Sequence, residues 1–199
     1  MRHRAAPADL HEASLRDELL TLVESIDPWD DLERRHVAVA TEWITGGAPL
    51  YRLEPPDEPP MHLVSYFVVF DDRRGKLLLV DHRKAGLWLP PGGHVEPGED
   101  PWSTVVRECR EELGIPAQAL PRTGRRPFFL TVTPTRGERV HTDVSLWYVL
   151  RADVGSVTVW NRDEFAGIRW VSPRQILAEP GSTQDPHLHR FTHKLTATH

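Results

Sequence analysis

A chain of 199 residues with 39% hydrophobic and 27% charged residues has enough apolar content to fold around a core and is too apolar for a disordered polymer. Its net charge of -5 excludes a broadly basic surface for polyanions, so no stable nucleic-acid complex is expected, and the single cysteine, Cys109, excludes a disulfide framework or a thiolate zinc cluster. The first residues lack the apolar centre of a signal peptide, and no run reaches the roughly 18 apolar residues of a membrane span, so the expectation is a cytoplasmic protein without a membrane anchor.

Leu15, Leu19, Leu22, Val23 and Ile26 recur at helical spacing and predict an amphipathic helix over 9–26. A second helix is expected after Asp27-Pro28, with Leu32, Val39, Ala40 and Trp43 on one side and Gly46-Gly47 as its stop. The pair reads as a helical hairpin able to serve as a regulatory or homodimerising arm. The stretch "LEPPDEPPMH" at 53–62 cannot continue a helix and predicts a stiff linker. The expected organisation is therefore a helical hairpin and linker over 1–62, a catalytic domain over 63–180, and a polar, His-rich tail with one weak helical stretch over 181–199.

Beyond the linker the periodicity changes. "LVSYFVVF" (63–70) and "KLLLVDH" (76–82), separated by "DDRRG", predict two strands. "PFFLTVT" (127–133) and "DVSLWYVL" (143–150) predict a strand pair with a nine-residue connection. "GIRWV" (167–171) predicts a last strand, followed by a short helix that Ser172 can cap and Pro173 can open.

Between these strands lies "GGHVEPGEDPWSTVVRECREELGI" (92–115). Asp100 as N-cap, Pro101 in the first turn and Gly114 as stop predict a helix whose apolar face is Val105, Val106, Cys109 and Leu113. Glu108, Glu111 and Glu112 fall at i, i+3 and i+4 and converge on another face, where each like-charge pair costs roughly 0.2–0.5 kcal/mol. A solvated acidic face is the ordinary reading of such a cluster. A hard cation such as Mg²⁺, which takes carboxylate oxygens and is shared with substrate phosphates, gives the crowding a purpose. The glycine-rich loop upstream, where backbone approaches a ligand closely, favours the cation.

Gly93, Glu99, Arg107-Glu108, Cys109, Glu111-Glu112, Gly114 and Ile115 match the Nudix box, Gx5Ex7REUxEExGU, at every fixed position across 23 residues, and the region from about 63 to 180 resembles a Nudix hydrolase domain of the MutT type. The one soft departure is Cys109 at a usually aliphatic position, read here as packing. The resemblance implies an α/β fold, an α/β/α sandwich with a mixed sheet, here preceded by an N-terminal helical extension. It implies Mg²⁺, replaceable by Mn²⁺, held by Glu108, Glu111 and Glu112 with the Gly92 carbonyl, and Glu99 and Arg107 bracing the loop. The proton acceptor is then one of the box glutamates, Glu108 or Glu111, or a base from another loop, for which Glu164, six residues before Trp170, is the candidate on the same resemblance.

The implied activity is hydrolysis of a diphosphate linkage in a nucleotide-type substrate by water attack at phosphorus. Substrate contacts are less legible. Arg83, Lys84 and Trp88 lie near the mouth of the box in sequence, and His141, Asp143 and Trp147 cluster at a strand start, where a Trp could stack on a base and an Asp read its edge. His187, His189 and His193 have a metal-like spacing, but no Cys or carboxylate accompanies them and a solvated tail is the simpler reading. Two other readings compete with the hydrolase. A nucleotide-sugar-sensing module need not keep the metal acids, all of which are present; an isomerase on the same scaffold needs extra Cys and His ligands, and the one cysteine lies inside the box.

Overall fold

The structure, a computed structural model, describes residues 7–53, 59–135 and 141–198. Much of the expected Pro-rich linker (54–58) and of the connection between the strand pair (136–140) lies outside the described residues. In chain order the elements are α1 (Pro7–Glu24), α2 (Asp31–Thr45), β1 (Met61–Asp71), β2 (Lys76–His82), β3 (Leu87–Leu89), β4 (Gly92–His94), α3 (Pro101–Leu113), β5 (Phe129–Pro134), β6 (Thr142–Arg151), β7 (Phe165–Val171), α4 (Pro173–Ala178) and α5 (Leu188–Ala197). Among the described residues no helix is long and apolar enough to cross a membrane.

The sheet is mixed. Its order is β3-β2-β1-β6-β5, with β4 added to β1 and β7 to β2. β1 and β6 run parallel, His62 facing Asp143 and Tyr66 facing Trp147, while the other pairs are antiparallel. β1 is buried along both faces, which is why it reads as a continuous apolar run. Leu63, Phe67 and Val69 join one core with Val105, Cys109 and Leu113 of α3, and Val68 and Phe70 join the opposite core with Phe191 and Leu195 of α5. Helices on both faces make the α/β sandwich.

The N-terminal helices share the first of these cores: Leu19, Val23, Ala40 and Ile44 are buried in it beside Leu63 and Leu130. The face that α2 buries differs from the expected one. Val39 is exposed, and Glu33, His36, Ala40 and Ile44 are the residues turned inward. Glu33 is the reason. Its Oε1 accepts from the backbone N–H of Leu130 on the edge strand β5 at 3.2 Å and from Lys194 Nζ of α5 at 2.8 Å. A carboxylate thus occupies the open hydrogen-bonding edge of the sheet.

The polar tail expected over 181–199 is corrected by the same contact. α5 buries Leu188, Phe191 and Leu195, Phe191 stacks on Trp147 at 5.3 Å between ring centroids, and His189 Nε2 lies 2.9 Å from the Ile176 carbonyl. Three apolar residues at helical spacing cover that face of the sheet, and His189 among them is held by a local hydrogen bond.

Candidate active site

Asp100 caps α3 by accepting from the N–H groups of Trp102 and Ser103, and Gly114 ends it in the left-handed conformation. This fixes the register of the acids. Val105, Cys109 and Leu113 point into the core, Val106 turns outward, and burial pushes the Cys109 thiol up to about 12, so the sulfur packs as a small apolar group.

β4 brings the glycines against the same helix. A Cβ on Gly93 would stand 1.9 Å from Glu108 Oε1, and one on Gly92, at φ +150°, would stand 2.3 Å from the Ser65 carbonyl. Gly92 admits no side chain, and one on Gly93 would displace the Glu108 carboxylate. Behind them Arg107 acts as a clamp: Nε and Nη2 donate to Glu99 at 3.2 and 3.0 Å, Nη1 donates to Glu108 at 2.7 Å, and Nη2 also donates to the His94 carbonyl at 3.2 Å. Thr104 Oγ1 donates to Glu99 at 2.7 Å, so every oxygen of Glu99 is occupied.

The three box acids differ in depth. Glu111 is the outermost, its side chain 60% exposed and 3.6 Å from Arg107 Nη1. Glu108 is mostly covered, and burial raises its pKa against the pull of Arg107. Glu112 is 2% exposed. Burial, then the charges of Glu108 and Glu164, push it up to about 9, opposed by a hydrogen bond from the Gly92 N–H. Its Oε2 is buried and makes no hydrogen bond. Leaving such an oxygen without a partner costs roughly 1–3 kcal/mol, more when it carries charge. Three carboxylates and an orphaned oxygen beside a close-approaching backbone form a donor set for a hard divalent cation.

Glu164 lies outside the box but acts on it, since its charge raises both Glu108 and Glu112. It is exposed just before β7, and its Oε1 accepts from Asn161 Nδ2 at 2.9 Å. Arg83 sits beside it. The Arg83 N–H donates to the Glu164 carbonyl at 2.9 Å and its Nε to the Arg162 carbonyl at 3.1 Å, with Lys84 exposed on the same hairpin.

Trp147 is placed differently from the reading of it as a base-stacking residue. Trp147 is fully buried, donates from Nε1 to Thr131 Oγ1 at 3.0 Å, and is enclosed by Phe129 and Phe191, so it is a core residue. Trp88 is partly buried: it carries the Arg169 guanidinium 4.1 Å above its ring and packs against the core.

His141 and Asp143 are brought together with two residues that sequence reasoning missed, His62 and His94. One ligating atom from each of the four lies within 4.8 Å of the others. Burial pushes His94 down to about 4. Nothing in sequence spacing joins these residues except the i, i+2 pair at the start of β6; the strand register does the rest.

A family profile describing the NUDIX domain matches residues 61–191. Over 118 residues the chain is 30% identical to a Bacillus subtilis protein provisionally named as an 8-oxo-dGTP diphosphatase, covering 58% of this chain and 70% of that one. A provisionally named mutator protein of Mycobacterium tuberculosis, MutT4, is 36% identical over 106 residues, which cover 53% of this chain and 37% of the relative. In fold, the crystal structure of a MutT protein from Methanosarcina mazei Go1 superposes with a TM-score of 0.55 at 21% identity, over 71% of this chain and 96% of that one. With the box, the sandwich and the matched span in agreement, the chain belongs to the NUDIX domain family.

Proposed function

We propose that the chain is a Mg²⁺-dependent hydrolase that cleaves a diphosphate linkage in a nucleotide-type substrate, a nucleoside triphosphate or another nucleoside diphosphate derivative, by attack of water at phosphorus. The observation that carries this reading is Glu112, a carboxylate buried almost completely with one oxygen unbonded and two further acids acting on it. A charge in that position needs a cation as its partner. Names borne by family relatives, among them a CTP pyrophosphohydrolase of Escherichia coli and an RNA pyrophosphohydrolase of Erythrobacter litoralis, agree with anhydride hydrolysis.

In this reading Glu108, Glu111, Glu112 and the Gly92 carbonyl hold the ion. Bound there, Mg²⁺ neutralises phosphate oxygens and makes water a better nucleophile at neutral pH. The protein does the rest by position. Arg107, anchored to Glu99 through two hydrogen bonds, holds Glu108 against the glycine loop and fixes the spacing of the acids. Glu164 faces the same acids from the β7 side and accepts the proton of the attacking water. Arg83 and Lys84, exposed beside it, meet the phosphates that lie outside the acidic patch.

The test is a panel of nucleoside triphosphates, oxidised nucleotides, nucleotide sugars, dinucleoside polyphosphates and capped RNA, assayed with Mg²⁺ for release of phosphate or pyrophosphate. At least one class turns over, and Glu111→Gln abolishes that turnover. Saturable binding of a nucleotide sugar without turnover at any Mg²⁺ concentration replaces the hydrolase with a sensing module.

A further inference from the structure

The sheet carries a second group of ligating side chains that the hydrolytic chemistry does not use. His62 stands near the start of β1, His94 closes β4, and His141 and Asp143 flank the first residue of β6. β1 pairs with both other strands, so His62 faces Asp143 and His94 faces Val64, two residues along the same face from His62. The ring centroids of His62 lie 4.9 Å from those of His94 and 4.5 Å from those of His141.

The hydrogen bonding is incomplete in a specific way. His62 is fully buried and neither ring nitrogen makes a hydrogen bond; Nε2 of His94 and Oδ1 of Asp143 are buried without one as well. Asp143 Oδ1 nevertheless lies 3.4 Å from His62 Nε2 and 3.3 Å from His141 Nε2. A tetrahedral ion with bonds of about 2.0 Å separates neighbouring ligand atoms by about 3.3 Å, so these contacts have the length of coordination edges rather than the geometry of hydrogen bonds.

We propose that His62, His94, His141 and Asp143 form a binding site for a divalent transition metal of the Zn²⁺ class, separate from the acids of α3. Three imidazoles and a carboxylate suit Zn²⁺ and not Mg²⁺, which prefers an all-oxygen shell. Four protein ligands close a tetrahedral shell, so the ion fastens rather than reacts. It ties β4, which presents Gly92 and Gly93 to the box and whose His94 carbonyl accepts from Arg107, to the first residues of β1 and β6.

The experiment uses the full chain, stripped with a chelator and then titrated with Zn²⁺ alone, the metal being counted by mass spectrometry. The expected result is one Zn²⁺ per chain, with X-ray absorption at the zinc edge showing scattering from more than one imidazole. His62→Gln and Asp143→Asn each weaken Zn²⁺ binding at least about 10-fold, whereas Glu108→Gln combined with Glu111→Gln leaves it unchanged. Because that control removes the box acids, the result stands whether or not the hydrolase reading does. If a cluster variant fails to fold by circular dichroism, the wild-type absorption spectrum decides alone. Absence of stoichiometric Zn²⁺, an oxygen-only shell, or loss of Zn²⁺ in the box variant but not in the cluster variants overturns the proposal.

Discussion

Glu33 on α2 and Glu112 on α3 are buried to nearly the same depth, 0% and 2% exposed, and their surroundings could hardly differ more. Glu33 accepts from the Trp29 N–H, the Leu130 N–H and Lys194 Nζ, and the neighbouring Asp30–Arg190 pair closes the junction between α2 and α5. Glu112 has the Gly92 N–H, an unbonded oxygen, and the like charges of Glu108 and Glu164. A buried carboxylate that holds elements together is completed by the protein; one left short of partners among other acids is shaped for something that arrives from outside. Burial raises the pKa of both, but only Glu33 has a cation of the chain's own to oppose it.

The comparison breaks first at Lys194. Lys194→Met strands Glu33 without its charge partner and is expected to cost about 3–5 kcal/mol, read as a lower midpoint in urea unfolding. Acid acts on the same junction. Burial and the charge of Arg190 push His187 down to about 4, with Arg190 Nη1 at 2.9 Å from its Nδ1. A histidine with a lowered folded pKa contributes stability that is full above its unfolded value near 6.5 and is lost as pH falls toward 4. That window is worth up to about 3 kcal/mol, and His187→Gln is expected to flatten it in melts taken across pH.

Glu112 responds in the opposite sense. Glu112→Gln is expected to lower kcat/KM by about 100-fold or more, since even outer partners of metal ligands are worth roughly 10- to 100-fold. In chelator-treated protein the same substitution is expected to leave the melting temperature nearly unchanged at neutral pH, where the carboxyl is protonated, and to raise it above about pH 9, where the buried charge has no partner. The smallest effect on stability belongs to Glu111, whose side chain is mostly solvated. Glu111→Gln relieves like-charge crowding by roughly 0.2–0.5 kcal/mol in metal-free melts while still abolishing turnover.

These contrasts also separate what was legible in the sequence from what was not. The box helix could be bounded to the residue because Asp100, Pro101 and Gly114 act within a few residues of one another. The long strands were readable for the same local reason. β3 and β4, three residues each, carry too little pattern to announce themselves and exist through their pairing with β2 and β1. α5 showed only as a weak helical stretch because Leu188, Phe191 and Leu195 stand among polar residues, and its burial depends on the apolar floor made by Phe129 and Trp147. The inward turn of Glu33 depends on a lysine that lies far along the chain, and the four-residue His and Asp cluster depends on strand register. Local chemistry shows in a sequence; chemistry assembled across strands does not.

The most direct test is calorimetric titration with Mg²⁺, chosen because its preference for oxygen leaves the histidine cluster silent. Wild-type protein binds the ion, and a Glu108→Gln, Glu112→Gln double variant that retains its fold does not. Binding of equal strength by the double variant, or none by the wild type in the presence of a nucleoside triphosphate, contradicts the assignment of these acids as the cation site.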